Sequence, residues 1–278
     1  VELTGGGSAV TITGTVSELN TIFAAKVSAG SNGFLDTGLA DALATTTDTG
    51  TVSAAELKAI SAATSGNLNI NTVTDITGLL ADVNSVLADG GITNKGDQTV
   101  TVTDATVSAG DLATLLVNGA GLTSANIIIT ASSMTGTEAE VSLIIDDSVD
   151  GAAGGLVNQH TVDHSATVTG LEAINITLSG TPTAAQVDAI ATRTTGTVTA
   201  TLSGTAAAIA SGLTETIAAT GGHNLTVNIA DAQVAAADLN TISGLTTGAI
   251  TLDTDTATAG NQSPTITGTY TAINTVFA

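Results

Sequence analysis

The residues of this chain best suited to hold an ion are three aspartates in the stretch DDSVD, namely Asp146, Asp147 and Asp150. Calcium is bound by several carboxylate and carbonyl oxygens, which a short acidic turn can supply. Neither the EF-hand spacing D-x-D-x-D-G nor the nonapeptide G-G-x-G-x-D is present. These three residues are therefore the candidate metal ligands, with calcium as the only candidate cofactor. The alternative is that they are solvated turn carboxylates.

Catalytic chemistry has little support in the sequence. The stretch HTVDH groups His160, Asp163 and His164, a spacing that binds a metal on a helix, but its surroundings are β-rich and Gly-flanked, which favours a solvated loop. No phosphate-binding loop, no H-E-x-x-H and no cysteine pair occurs. Polysaccharide-degrading enzymes of the parallel β-helix type combine carboxylates with basic residues and aromatic platforms, whereas this chain has four basic residues and 1% aromatics. We therefore assign no catalytic residues and expect no enzyme activity.

Threonine pairs of the form T-x-T recur along the chain, as at Thr101/Thr103 and Thr197/Thr199. Flat threonine arrays resemble the ice-binding faces of some antifreeze proteins. Threonine is also a good residue for an exposed strand, and asparagine, serine and aspartate share the same face here. An irregular array of this kind favours an ordinary strand surface over ice binding.

The charge balance restricts the partners of the chain. Four basic and 25 acidic residues give a net charge of −21, which repels nucleic acid and anionic membranes. No apolar run is long enough to cross a membrane. Charged residues are only 10% of the chain, so the surface is expected to be rich in threonine, serine and asparagine, as in secreted proteins. Without a signal peptide, and beginning at Val1, the sequence is expected to be a mature product or a segment of a longer protein.

Four segments align as internal repeats, each reading as a start signal, a short helix, a Gly-containing stop and a strand. They begin at Val52, Val107, Pro182 and Val234. Ser53 with Glu56 and Thr183 with Gln186 match the capping box, and Ser108 with Asp111 is a weaker version. Gly66, Gly196 and Gly248 are predicted to end the helices.

Alternating apolar and polar residues predict the strands that accompany these helices. The predicted strands are 67–72, 99–104, 126–130, 141–146, 174–179, 197–202, 224–229 and 249–253. The last four begin about 25 residues apart, which matches the smaller solenoid repeats. The stretch GLADALA at 38–44 is interpreted as helix.

The predicted fold class is α/β: a right-handed solenoid of strand–short-helix repeats of about 25 residues, with a parallel sheet on one side and small helices on the other. The prediction is a single elongated solenoid over residues 1–278, with an irregular or inserted segment near 147–168. A doubly wound sheet would need near-continuous apolar strands, and a β-sandwich would not explain the capped helices.

Two motifs, TITGTVSELNTIFAA and VSAAELKAISAATSG, resemble the repeat regions of very large secreted surface proteins of marine bacteria and cyanobacteria, including giant adhesin-like and motility-associated proteins. The resemblance covers most of the chain and implies a structural role at the cell surface. No functional residue is carried over from it.

The function expected from the sequence is that of a structural repeat module, secreted or at the cell surface, forming a spacer, surface layer or filament. Its main partner is expected to be itself, end to end, because TITGT at residue 11 recurs at residue 265. The alternative is an adhesin-type module that binds carbohydrate or a surface through its threonine- and asparagine-rich strands or through the segment near 147–168.

Overall fold

A computed structural model describes residues 10–27, 34–35, 39–118, 126–145, 167–214, 223–252 and 264–277 of the chain. Within these residues, nine short helices alternate with nineteen short strands. The chain is therefore a mixed α/β protein, as the sequence predicts.

The helices are seven to ten residues long, which is too short for stability in isolation. They are α1 (Val16–Ala24), α2 (Ala54–Ala63), α3 (Leu80–Ala88), α4 (Ala109–Asn118), α5 (Glu138–Ile145), α6 (Ala184–Ala191), α7 (Ala206–Gly212), α8 (Ala236–Leu245) and α9 (Tyr270–Val276).

Most strands have two to five residues, and the longest has seven. They are β1 (Thr11–Gly14), β2 (Lys26–Val27), β3 (Phe34–Leu35), β4 (Leu43–Thr46), β5 (Thr51–Ser53), β6 (Leu68–Asn69), β7 (Asp75–Gly78), β8 (Ile92–Thr93), β9 (Thr99–Val102), β10 (Thr106–Ser108), β11 (Asn126–Ile129), β12 (Ser133–Thr137), β13 (Thr167–Thr169), β14 (Asn175–Ser179), β15 (Val198–Gly204), β16 (Asn224–Ile229), β17 (Gln233–Ala235), β18 (Ile250–Leu252) and β19 (Thr265–Thr267).

The chain divides into two compact units, each with its own parallel sheets. The first unit contains the sheets β1-β4-β6-β8 and β13-β11-β9-β7-β5 and the pair β2-β3. The second unit contains the six-stranded sheet β10-β12-β14-β15-β16-β18 and the pair β17-β19. Every pairing among these strands is parallel, and the described strands form no closed barrel.

Paired strands are separated by a nearly constant length of chain. Ile76 lies opposite Val100, and Thr199 lies opposite Asn224, so the partners in each pair are about 25 residues apart. A wider spacing occurs where Ser133 lies opposite Asn175. That wider spacing spans residues 146–166, which include most of the segment that the sequence marks as irregular.

The core consists of small aliphatic side chains. Ile76 and Val100 on neighbouring strands and Leu57 and Ile60 on α2 are fully buried. The alternation of apolar and polar residues along each strand places one face against the helices. Such thin layers need few aromatics, and Phe23 is the one aromatic side chain in the core of the described residues.

One predicted strand is a helix. Residues 141–145 belong to α5, and Val141, Ile144 and Ile145 are buried at helical spacing. The helix begins here because Thr137 and Glu140 form a reciprocal cap: the Glu140 carboxylate accepts from the Thr137 amide at 2.8 Å, and the Thr137 hydroxyl accepts from the Glu140 amide at 3.3 Å.

One predicted helix is largely a strand. GLADALA at 38–44 leads into β4, whose residues Leu43 and Ala44 pair with β1. Buried Leu39 and Ala42 fit a helical pattern as well as a turn followed by a strand, and tertiary pairing decides between them.

The capping predictions have mixed outcomes. Thr183 and Gln186 form the predicted capping box, whereas Ser53 makes no side-chain cap bond. A capping box that was not predicted forms between Thr15 and Glu18 at the start of α1. Among the described residues, no helix has the length and apolarity needed to span a membrane.

Candidate functional surfaces

A buried threonine joins successive strand–helix units in a recurring pattern. The Thr64 hydroxyl donates to the Ala42 carbonyl at 2.7 Å and accepts from the Gly66 amide at 3.0 Å. The same two bonds occur at Thr194 (to Ile174 at 2.9 Å, from Gly196 at 3.0 Å) and at Thr246 (to Leu225 at 2.8 Å, from Gly248 at 2.9 Å). The motif T-[ST]-G is therefore a clasp between a unit and the one before it.

The glycine of this clasp does not end the helix, contrary to the prediction. None of Gly66, Gly196 and Gly248 has a positive φ, and α2 ends at Thr64 in an extended conformation. A Cβ added at Gly66 would lie 2.2 Å from the Ala42 carbonyl oxygen, with nearly the same approach at the other two glycines. The glycine is required because two backbones meet there.

Aspartates make a second type of link, from a later unit to the start of an earlier helix. Asp104 accepts from the Leu80 amide, the first residue of α3, at 2.6 Å. Asp48 and Asp231 do the same for Val16 of α1 and Ala206 of α7, each at 2.6 Å. A carboxylate at a helix N-terminus satisfies a free amide and opposes the helix dipole.

A third link connects neighbouring helices through fixed positions. The fifth residue of one helix reaches the third residue of the next: Asn84 donates to the Asp111 carbonyl at 3.0 Å, and Lys58 pairs with the Asp82 carboxylate at 2.8 Å. Asn20 to Glu56 (3.5 Å) and Asn240 to Ala272 (3.0 Å) follow the same rule. The rule fixes the register between adjacent helices.

The outward face of the six-stranded sheet is polar but uncharged. One row across five strands consists of Ser108, Thr135, Thr177, Thr199 and Asn224. No residue of the described strands in this sheet carries a charge. In a chain of net charge −21, the acidic groups of this unit lie elsewhere.

The matching ends of the sequence differ in burial. In α1, Val16, Leu19 and Phe23 are 3%, 0% and 5% exposed. Their counterparts after the second TITGT are Tyr270, 85% exposed, Ile273, half-buried, and Phe277, 74% exposed just beyond α9. No residue of α9 is buried.

A groove of about 450 Å³ lies beside α9. It is lined by Leu239, Asn240, Ser243, Gly244, Ile250, Leu252, Thr275 and Val276. Most of its lining is apolar, and Ile250 and Leu252 of β18 are half-buried rather than buried. The end of the second unit therefore presents an apolar surface that is only partly covered.

The candidate calcium ligands Asp146, Asp147 and Asp150 lie outside the described residues, as do His160, Asp163 and His164. Within the described part of the chain, no group of three or more histidine and acidic side chains could hold a metal ion. The structure brings together no catalytic set to compare with the sequence.

His223, the third histidine, is a core residue. It is 1% exposed, and its Nδ1 accepts from the Val198 amide at 2.9 Å. This bond requires the neutral imidazole with the proton on Nε2. Burial lowers the pKa of His223, while the charge of Asp188 acts in the opposite direction.

Lys95, one of the four basic residues, closes the C-terminal end of α3. Its ammonium donates to the carbonyls of Val86, Leu87 and Asp89 at 3.1, 2.8 and 2.5 Å. Partial burial lowers the pKa of Lys95, and Asp89 acts in the opposite direction. A cation at this position satisfies carbonyls that the helix leaves free.

Comparison of the chain with protein-family models, curated proteins and solved structures found no match. The clasp, the aspartate link and the helix register were all missed in the sequence, although each has a visible signal. That signal is T-[ST]-G after three helices, an aspartate two residues after strands β4, β9 and β16, and asparagine at the fifth helical position.

Proposed function

We propose that this chain is a structural repeat module of an extracellular or cell-surface protein. In this proposal, its strand–helix units form a right-handed solenoid that assembles end to end into a spacer, surface layer or filament. The module performs no catalysis.

The observation that carries the proposal is the near-constant spacing of strand partners. Parallel neighbours such as Ile76 and Val100, or Thr199 and Asn224, lie about 25 residues apart. Strand–helix–strand connections of this length are right-handed in almost all proteins. Each unit is therefore expected to stack on its predecessor, as in repeat proteins.

The three recurring links support the same proposal. The threonine clasp, the aspartate link and the helix register join neighbouring units, and none of them involves a binding cleft. A net charge of −21, no cysteine and a strand surface of threonine, serine and asparagine suit a secreted structural protein. The resemblance to giant surface-protein repeats points the same way.

Sedimentation velocity and negative-stain electron microscopy of the purified chain, over a hundredfold concentration range, test the proposal. We expect elongated particles that join into linear oligomers as the concentration rises. Compact particles would overturn the solenoid. Elongated particles that stay monomeric at every concentration would overturn the end-to-end assembly.

The uncharged sheet face favours a second candidate function, the binding of carbohydrate or another uncharged surface. The row through Thr135, Thr177 and Thr199 presents hydroxyls at the spacing of adjacent strands, about 4.8 Å. Hydroxyl and amide groups bind sugars without the electrostatic cost that an acidic surface imposes on an anionic glycan.

Pull-down on insoluble cellulose and chitin tests this second function. The variant T177K/T201K changes two exposed residues of the face. A185K, on the exposed side of α6, is the matched control. We expect binding by the wild type and A185K and loss in T177K/T201K. Equal binding by all three proteins would contradict a role for the face.

A further inference from the structure

We infer that α9 of one molecule docks on the outer face of α1 in a second copy, in the register that places the Asn274 side chain on the third residue of α1, Glu18. This inference rests on the end-to-end assembly proposed above and specifies its contact. The register follows the rule by which neighbouring helices already meet within the chain.

The first step is the uncovered face of α9. Its counterpart α1 has its apolar residues buried and packs against α2, the next helix along the chain. The same residue types in α9 remain exposed or half-buried, with Tyr270 and Phe277 the most exposed. A helix with the sequence of a packed helix is therefore left without the neighbour that packs it.

The second step is the register between helices. Asn20, Asn84 and Asn240, each the fifth residue of its helix, donate to the third residue of the following helix. Asn274 is the fifth residue of α9, and its side chain is exposed. It is the forward-pointing member of this series without a following helix among the described residues.

The third step is the complementary surface on α1. Glu18 is the third residue of α1, and an open groove of about 400 Å³ lies beside it, lined by Thr13, Ser17, Glu18, Thr21 and Ile22. No described helix precedes α1. A second copy therefore offers the third-position residue that Asn274 needs.

The strands next to these helices are compatible with the same contact. β1 and β19 carry the same Thr-Ile-Thr sequence, and each is a terminal strand in the order of its described sheet. Aligning α9 with α1 sets Thr265 opposite Thr11 in a parallel pairing. The contact would thus continue both the helix row and the sheet.

Charge also favours this partner. Two chains of net charge −21 repel, so an interface between them must avoid juxtaposed acids. α9 contains no acidic or basic residue, and the outer groove of α1 contains one acid, Glu18. The docked pair therefore brings no two like charges together.

A charge swap tests the register, because Lys58 and Asp82 show that a lysine at the fifth position reaches an acid at the third. We measure the association constant by sedimentation for N274K, N274D, E18K and N274D/E18K at low salt. N274K is expected to associate about threefold more tightly, the effect of an exposed ion pair. N274D is expected to associate more weakly, and E18K should restore the association of N274D.

A185K is the matched control, since it adds the same charge on the exposed side of α6. Thermal melts check that E18K, which removes the Thr15–Glu18 cap, leaves the fold intact. Equal tightening by N274K and A185K, or no rescue of N274D by E18K, would overturn the contact while linear assembly stands. A wild-type chain that never associates would overturn both, and would leave a following unit of a longer polypeptide as the cover of α9.

Discussion

The buried hydroxyl of the T-[ST]-G clasp shows how much one atom contributes to this fold. Thr194 is 4% exposed and holds both the Ile174 carbonyl and the Gly196 amide. Valine has the same shape but cannot bond either group. The clasp threonine is thus kept for its hydroxyl, not for its volume.

We predict that T194V lowers the free energy of unfolding by about 1–3 kcal/mol, the cost of leaving buried polar groups unpaired. Urea denaturation followed by circular dichroism measures the change. T201V, on an exposed strand position, is the control and should change stability by less than about 0.5 kcal/mol. Equal effects of the two variants would contradict the role of the hydroxyl.

His223 makes stability depend on pH at mildly acidic values. Its pKa is lowered in the folded chain relative to about 6.5 in the unfolded chain. The unfolded chain therefore binds more protons below pH 6.5, and the stability that neutral His223 contributes is lost as pH falls through the folded pKa. Protonation also removes the acceptor of the Val198 amide.

We predict a fall in melting temperature from pH 7 to pH 5 that is reduced in H223N, since an asparagine oxygen can accept the same bond without titrating. Differential scanning calorimetry at matched ionic strength measures the slope. H160N/H164N is the control that changes the other two histidines. A reduced slope in the control but not in H223N would show that His223 is not the titrating group.

Single residues were predicted only where a local pattern decides the structure. The Thr183–Gln186 cap was foreseen because both partners lie within one turn. The role of Gly66 was misread because the atom that excludes a Cβ, the Ala42 oxygen, belongs to the preceding unit of the chain. A single sequence shows the glycine but not the backbone beside it.

At the scale of an element, glycines of the same composition have opposite roles. A Cβ at Gly196 would lie 2.2 Å from the Ile174 oxygen, whereas a Cβ at Gly244 in α8 meets nothing within 4 Å. Neither residue has a positive φ. Space alone therefore separates the two positions.

We predict that G196A lowers the free energy of unfolding by about 1–3 kcal/mol through steric displacement. G244A should raise it by up to about 1 kcal/mol, because alanine is the better helix former. Chemical denaturation of both variants measures the difference. A neutral G196A would mean that the strand can move away at no cost.

The errors in predicting elements share one physical cause. VSLII at 141–145 suits a buried strand and a buried helix equally well, and the cap that precedes it decides for the helix. Leu43 and Ala44 follow a helical pattern but pair with β1. Short apolar runs do not encode their own secondary structure when neighbouring units supply most of the stability.

For the whole molecule, the parallel α/β class and the repeat length of about 25 residues were predictable from the repeated strand and helix signals, and the register of the paired strands agrees with that length. The links between units were not predictable, because they join residues that are distant in sequence, such as Asp104 and Leu80. The calcium hypothesis at Asp146, Asp147 and Asp150 stays a prediction.

We predict that salt stabilises the chain, because screening reduces repulsion within a net charge of −21. Melting temperatures in sodium, magnesium and calcium chloride at equal ionic strength should rise together. An additional rise with calcium that is lost in D146N/D147N/D150N, but kept in E56Q/D41N/D97N, would establish calcium binding. A melting temperature independent of salt would contradict the repulsion argument.

The near-constant spacing of strand partners also has a mechanical consequence. Neighbouring units are joined by short ladders and a few side-chain links, so a pulling force on one end would detach one unit before loading the next. Because the chain between partners such as Ile76 and Val100 is so uniform in length, each detachment releases about 80 Å of extended chain. At a cell surface subject to flow, we expect such a chain to lengthen stepwise under load, and to shorten again as units re-pair when the load falls.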